Sequence, residues 1–106
     1  MLRVTLHYGI HFILPIIIGF LFFKKNRGII ILILLAGISI DVDHLLASPI
    51  FNPNRCSIGF HPLHGYLAIG LYLLLFAIKK TRVIGLALCL HIMADLVDCF
   101  LLRLNF

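Results

Sequence analysis

Residues 28–47 read GIIILILLAGISIDVDHLLA. The run from Gly28 to Ile40 is almost unbroken Ile, Leu and Ala, and Asp41-Val42-Asp43-His44 stands at its end. A purely structural membrane helix has no reason to carry two carboxylates and an imidazole there, so this segment sets two expectations. It is a lipid-spanning helix, and it delivers polar groups to a site.

The rest of the chain supports the first expectation. Its 106 residues suffice for one domain, residues 1–106, and 62% of them are hydrophobic. Mean hydropathy is +1.15. A soluble protein of this size lacks the interior to hide so much apolar surface. The formal charge of +5 does not point to nucleic acid, because the basic residues form no aromatic-interleaved patch. Six of the nine lie in two short turns, Lys24-Lys25-Asn26-Arg27 and Lys79-Lys80-Thr81-Arg82, which is how cytoplasmic loops anchor a multi-pass protein.

Four apolar segments follow, at about residues 4–23, 28–47, 62–78 and 83–102. The first is expected to be a retained helix, since its basic residues come after the apolar run and no small-residue cleavage site appears. Pro15 cannot donate to the carbonyl of His11, which predicts a kink there. Ser48-Pro49 should stop the second helix and Pro62 should open the third. The expected fold is therefore all-α, a polytopic membrane protein with four transmembrane helices in an antiparallel bundle. The charge rule puts both basic turns in the cytoplasm and the 48–61 loop outside.

All six histidines and all four acids of the chain fall into sets that share a helix face. His7 and His11 are i,i+4, Asp41 and His44 are i,i+3, and His61 and His64 are i,i+3. His91, Asp95 and Asp98 follow at i, i+4 and i+7. At about 1.5 Å per residue, most of these groups lie roughly 18–24 Å from the basic turns, in the outer half of the bilayer. An ionised carboxylate in a bilayer costs on the order of 3 kcal/mol or more, and the basic residues are mostly on the far side. Divalent cations would neutralise the acids and use the imidazoles as neutral ligands. Two ions would balance four Asp. Mixed His and Asp without a thiolate set favours zinc, iron or manganese. The expected ligands are His7, His11, Asp41, His44, His61, His64, His91 and Asp95. Asp43, off the Asp41–His44 face, is expected to act as general base or to orient a histidine. Asp98 is either a further ligand or a group reaching to the outer interface.

Cys56, Cys89 and Cys99 show no CxxC spacing and read most simply as small apolar fillers. A Cys56–Cys99 disulfide is the alternative if both face an oxidising compartment.

With these residues in view, the chain resembles the bacterial inner-membrane metal-dependent hydrolases, including the LexA-binding, inner membrane-associated hydrolases. The likeness rests on His7 and His11, Asp-x-Asp-His at 41–44, His61-Pro62-Leu63-His64-Gly65, and His91 with Asp95. It is closer still to a small membrane family carrying His-Tyr-Gly-Ile-His and Phe-His-Pro-Leu-His. The resemblance implies a bacterial inner-membrane protein with metal-dependent hydrolase activity, and the charge rule puts the site toward the extracytoplasmic side. The leading expectation is hydrolysis of a lipid-like ester or phosphoester by metal-activated water, with membrane lipid as partner and Arg55, on the outer loop, holding an anionic head group. The alternatives are a di-iron-type membrane oxygenase, which histidine boxes suggest, and a non-enzymatic metal-binding or ion-transport protein. A transport path through four short spans would require a homo-oligomer.

Overall fold

The computed structural model describes residues 2–47, 55–59 and 61–104, apart from the side chain of His44. Every regular element among them is helical. Helix α1 spans Leu2–Phe22, and α2 starts at Arg27–Leu35 and continues as a 3-10 helix over Ala36–Leu46. Helix α3, Tyr66–Ala77, is preceded by a 3-10 turn at Pro62–His64. Helix α4, Arg82–Arg103, follows a 3-10 turn at Lys79–Thr81.

Pro15 shapes α1 as expected, though by widening rather than by a simple break. Residues Gly9–Ile13 form a π-helical turn, in which the amide of Leu14 reaches back to the Gly9 carbonyl, and α-helix resumes at Leu14 with Pro15 in its first turn. A wide turn before a proline relieves the clash of its ring with the preceding turn. His11 sits inside this turn and is buried.

Helix α4 is central and packs against the other three. Glycines permit two of these contacts. A Cβ on Gly37 of α2 would stand 2.6 Å from the Ala87 carbonyl oxygen of α4, and one on Gly85 would strike the Leu75–Phe76 backbone of α3. Leu34, Ala87 and Leu90 form the apolar core beneath the polar cluster, flanked by Leu14, Ile18, Ile30, Val83 and Leu86.

Both basic turns close hairpins. Asn26 takes the left-handed conformation (φ 54°) that asparagine tolerates well, and the Arg27 guanidinium binds the Phe23 carbonyl and lies over the Phe20 ring. In the second turn, Arg82 donates to the Phe76 and Ala77 carbonyls and Thr81 to that of Leu75, closing the C-terminus of α3.

Two expectations need correction. The third apolar segment does not run unbroken over 62–78. Gly65 is extended (ψ 168°), so Pro62 opens only a 3-10 turn and the α-helix has 12 residues. The filler reading of the cysteines also fails for two of them, since Cys56 and Cys99 are disulfide-bonded with Cα atoms 5.1 Å apart. The bond ties the 55–59 segment to α4. Cys89 is free.

Among the described residues, two helical runs are long and apolar enough to cross a membrane, Leu2–Phe22 and Lys79–Arg103. Large apolar side chains face outward on all four helices, for example Phe22, Leu32, Leu67 and Phe100.

Candidate metal centre

Helices α1 and α4 run antiparallel, and their polar residues meet in reverse order. Arg3 pairs with Asp98, His7 approaches Asp95, and the ring of His11 lies against that of His91 at 4.4 Å between centroids. Steps of four from Arg3 to His7 to His11, set against steps of four and three from His91 to Asp95 to Asp98, bring these residues into register.

Helix α2 contributes through its unusual geometry. In an α-helix Asp41 and Asp43 would point about 160° apart, but at three residues per turn they are about 120° apart. Both can then address His64 from different sides. Oδ1 of Asp41 lies 3.2 Å from His64 Nε2 and 2.9 Å from His91 Nε2. Oδ2 of Asp43 lies 2.8 Å from His64 Nδ1 and accepts a hydrogen bond from the Leu63 amide at 2.8 Å. The Tyr72 hydroxyl donates to the Leu63 carbonyl at 2.8 Å, clamping the 3-10 turn that carries His64 onto α3.

Two groups of potential ligand atoms result. The first is Asp41, His64, His91 and Asp95, and the second is His7, His11 and Asp95; within each, the atoms lie within 4.8 Å of one another. Asp95 belongs to both, one oxygen to each. Its Oδ2 lies 2.9 Å from His64 Nε2 and 3.2 Å from His91 Nε2. Its Oδ1 lies 3.7 Å from His7 Nδ1 and 4.0 Å from His11 Nε2.

The residues fit divalent cations. Nε2 of His64 and Nε2 of His91 are 3.0 Å apart, and their contacts with Asp41 and Asp95 span 2.9–3.2 Å. Four ligands at about 2.0–2.1 Å from a tetrahedral ion stand about 3.3 Å from one another, so the first group is nearly in place. Oδ2 of Asp95 makes no hydrogen bond although it lies 2.9 and 3.2 Å from the two ring nitrogens, which are 3.0 Å from each other. Nδ1 of His7 and Nε2 of His11 are likewise buried without a hydrogen-bond partner. A buried polar atom left in that state is costly unless something else binds it. The second nitrogen of His64 already faces Asp43, the arrangement that fixes a ligand histidine with its other nitrogen toward a metal.

The remaining expected residues fall elsewhere. His61 is buried beside His64, with ring centroids 5.7 Å apart, and belongs to neither group. Its i,i+3 relation to His64 presumed one helix, but His61 precedes the turn in extended backbone (ψ 146°). Asp98 is held by Arg3 through two bonds, Nε to Oδ1 at 3.1 Å and Nη2 to Oδ2 at 3.2 Å. Arg55 is half-buried next to the disulfide. The His44 side chain lies outside the described residues. Tyr72 was not expected to support the site, and the pairing of Arg3 with Asp98 was not singled out among the three arginines expected near it. Arg3 could have been found from its position four residues before His7, and Tyr72 from its polar tip in an apolar segment.

A family model matches residues 1–102 of the chain, and its description is a family of unknown function, DUF6122. The chain belongs to this family. No curated protein and no solved structure matches it.

Proposed function

We propose that this DUF6122 protein is a membrane-embedded hydrolase that uses two divalent cations, zinc before iron or manganese, to cleave a lipid-like ester or phosphoester. The observation that carries the reading is the division of Asp95, whose two oxygens face two separate sets of histidine nitrogens. Paired ions about 3.5–4 Å apart recur in phosphatases, nucleases and aminopeptidases, where they clamp the attacking and leaving oxygens, and a shared carboxylate suits such a pair. His64, His91, Asp41 and Asp95 would hold one ion, and His7, His11 and Asp95 the other. Such a pair supplies Lewis-acid polarisation and an activated water. Asp43 orients His64. Asp41, whose side chain is 34% exposed where His64, His91 and Asp95 are 0–5%, marks the open side of the centre. Exposed Val42, Leu45 and Leu46 flank it, which suits a substrate arriving from lipid.

In this reading the chain spans the bacterial inner membrane four times, with the cluster toward the extracytoplasmic side. Helices α1 and α4 have the required length. The 3-10 half of α2 climbs about 2 Å per residue, so Arg27–Leu46 also matches roughly 30 Å of hydrocarbon. Helix α3 alone rises only about 18 Å, and the segment before it completes that side. The basic turns lie at one end of the bundle, and the disulfide, which requires an oxidising compartment, lies toward the other.

The test is metal analysis of detergent-purified protein followed by turnover assays on phosphoesters and carboxylic esters. Two ions per chain and metal-dependent ester cleavage are expected. A visible absorption band with oxygen consumption would instead assign a di-iron oxygenase. Metal transport in liposomes without turnover would assign a transporter. No metal under replete conditions would remove all three.

A further inference from the structure

The two halves of the cluster are unequal in geometry and in charge. In the first group, four donor atoms come from three helical segments, and each histidine nitrogen already stands 2.9–3.2 Å from the other three atoms. In the second, the described residues supply three donors, with Asp95 Oδ1 3.7 and 4.0 Å from the histidine nitrogens. The first group brings Asp41 and Asp95 to its ion, with Asp43 behind His64. The second has only its share of Asp95.

The charge count covers every acidic side chain, because the chain has four Asp and no Glu. Asp98 is neutralised by Arg3. That leaves Asp41, Asp43 and Asp95, three negative charges, against the four positive charges of two divalent ions. Arg55 and Arg103 add only positive charge. A filled pair therefore carries a net positive charge among buried His11, His64, His91 and Asp95, with only His7 and Asp41 partly exposed. Uncompensated charge in such surroundings is costly, so the pair favours one further anion, which the activated water supplies as hydroxide when no ligand is bound and an anionic ligand supplies when one is.

From this imbalance, and resting on the two-ion reading above, we propose that the His7–His11–Asp95 position binds its cation together with an anionic phosphoryl group. The ligand of the centre is thus a phosphoester or phosphate rather than a neutral carboxylic ester. The first ion is resident and tight. The second is exchangeable and completes its coordination with phosphoryl oxygens. By linkage, each member of this pair raises the affinity of the other by the same factor.

Zinc binding to the full chain in maltoside micelles, with free zinc set by a buffer, tests this in four arms. These are no addition, inorganic phosphate, micelles doped with phosphatidic acid, and micelles doped with diacylglycerol. One tight equivalent unaffected by additions is expected, with a second that tightens about tenfold or more with phosphate or phosphatidic acid. Phosphatidic acid acting alone assigns a lipid source, and phosphate acting alone a soluble one. His11→Ala should keep the first equivalent and lose the second along with the phosphoryl effect. Two equivalents of equal affinity, indifferent to phosphoryl compounds or tightened equally by diacylglycerol, overturn the proposal while leaving the two-ion centre standing. Fewer than two equivalents in every arm overturns the two-ion reading itself.

Discussion

Asp43 and His64 are joined by a 2.8 Å contact between Oδ2 and Nδ1, and both side chains are shut off from solvent. With a carboxylate at Nδ1, a neutral His64 ring that binds a cation carries its hydrogen there and turns Nε2 toward Asp41, His91 and Asp95. Asp43 also holds the Leu63 amide, so one carboxylate sets both the tautomer of the ring and the turn that carries it. This engagement suits Asp43 to positioning His64.

Asp43→Asn should therefore weaken metal binding about 10–100-fold while leaving the number of ions at saturation unchanged, because the amide can present an N–H where the ring needs an acceptor. Competition against a chromophoric chelator measures this directly. Unaltered affinity in a folded Asp43→Asn protein would mean that the contact does not orient the ligand.

Removing ligands one at a time should subtract ions in a pattern set by Asp95. Asp41→Ala and His7→Ala should each abolish one equivalent, from different groups, and Asp95→Ala should abolish both. His61→Ala should keep both, because its ring lies outside the two groups. Elemental analysis of the four variants reads the pattern. Loss of metal in His61→Ala would restore it as a ligand, and a single equivalent retained in Asp95→Ala would sink the bridging role.

How much of this was legible in the sequence depends on the local helix type. On α4 the regular helix transmits sequence into geometry, and on α1 the π-turn at Gly9–Ile13 leaves His7 and His11 on one side, so His7, His11, His91 and Asp95 were readable as facing sets. Their side chains do converge. At 36–46 and 61–65 the backbone leaves α-helix, and rules built on a 100° step no longer apply. Among the described residues His61 joins neither ligand group, and Asp41 and Asp43 come to flank one ring. The Arg3–Asp98 pair depended on a register between the first and last helices that no local pattern carries. The Cys56–Cys99 bond joins residues 43 apart, and spacing alone could not choose it over three unpaired thiols.

The approach of α2 to α4 at Gly37 positions the 3-10 segment that carries Asp41. Gly37→Val would force its side chain into the Ala87 carbonyl, which a Cβ alone would meet at 2.6 Å. The backbone there has no side chain to move aside, so the helices must separate. A cost of about 1–3 kcal/mol in stability is expected, together with weaker metal binding because Asp41 retreats from His91. Thermal unfolding in detergent, with and without metal, separates the two effects. A variant with unchanged melting temperature and unchanged affinity would show that the contact is not close in solution.

Arg3 and Asp98 close the end of the α1–α4 interface beyond the metal ligands, and the pair is only partly exposed, at 16% and 24% of the side chains. Asp98→Asn keeps the shape and removes the charge. It should lower stability by about 1 kcal/mol, as expected for a bidentate pair still reached by water, and leave both ions in place. The same substitution examines the charge count from another side. With Asp98 neutral, Arg3 loses its counter-charge and adds one positive charge beside His7, so the second ion should bind more weakly and depend more strongly on added phosphate. Zinc titrations of Asp98→Asn with and without phosphate measure both quantities. An unchanged second affinity would mean that Arg3 and Asp98 lie outside the electrostatic reach of the centre, whereas loss of an ion would make Asp98 itself a ligand.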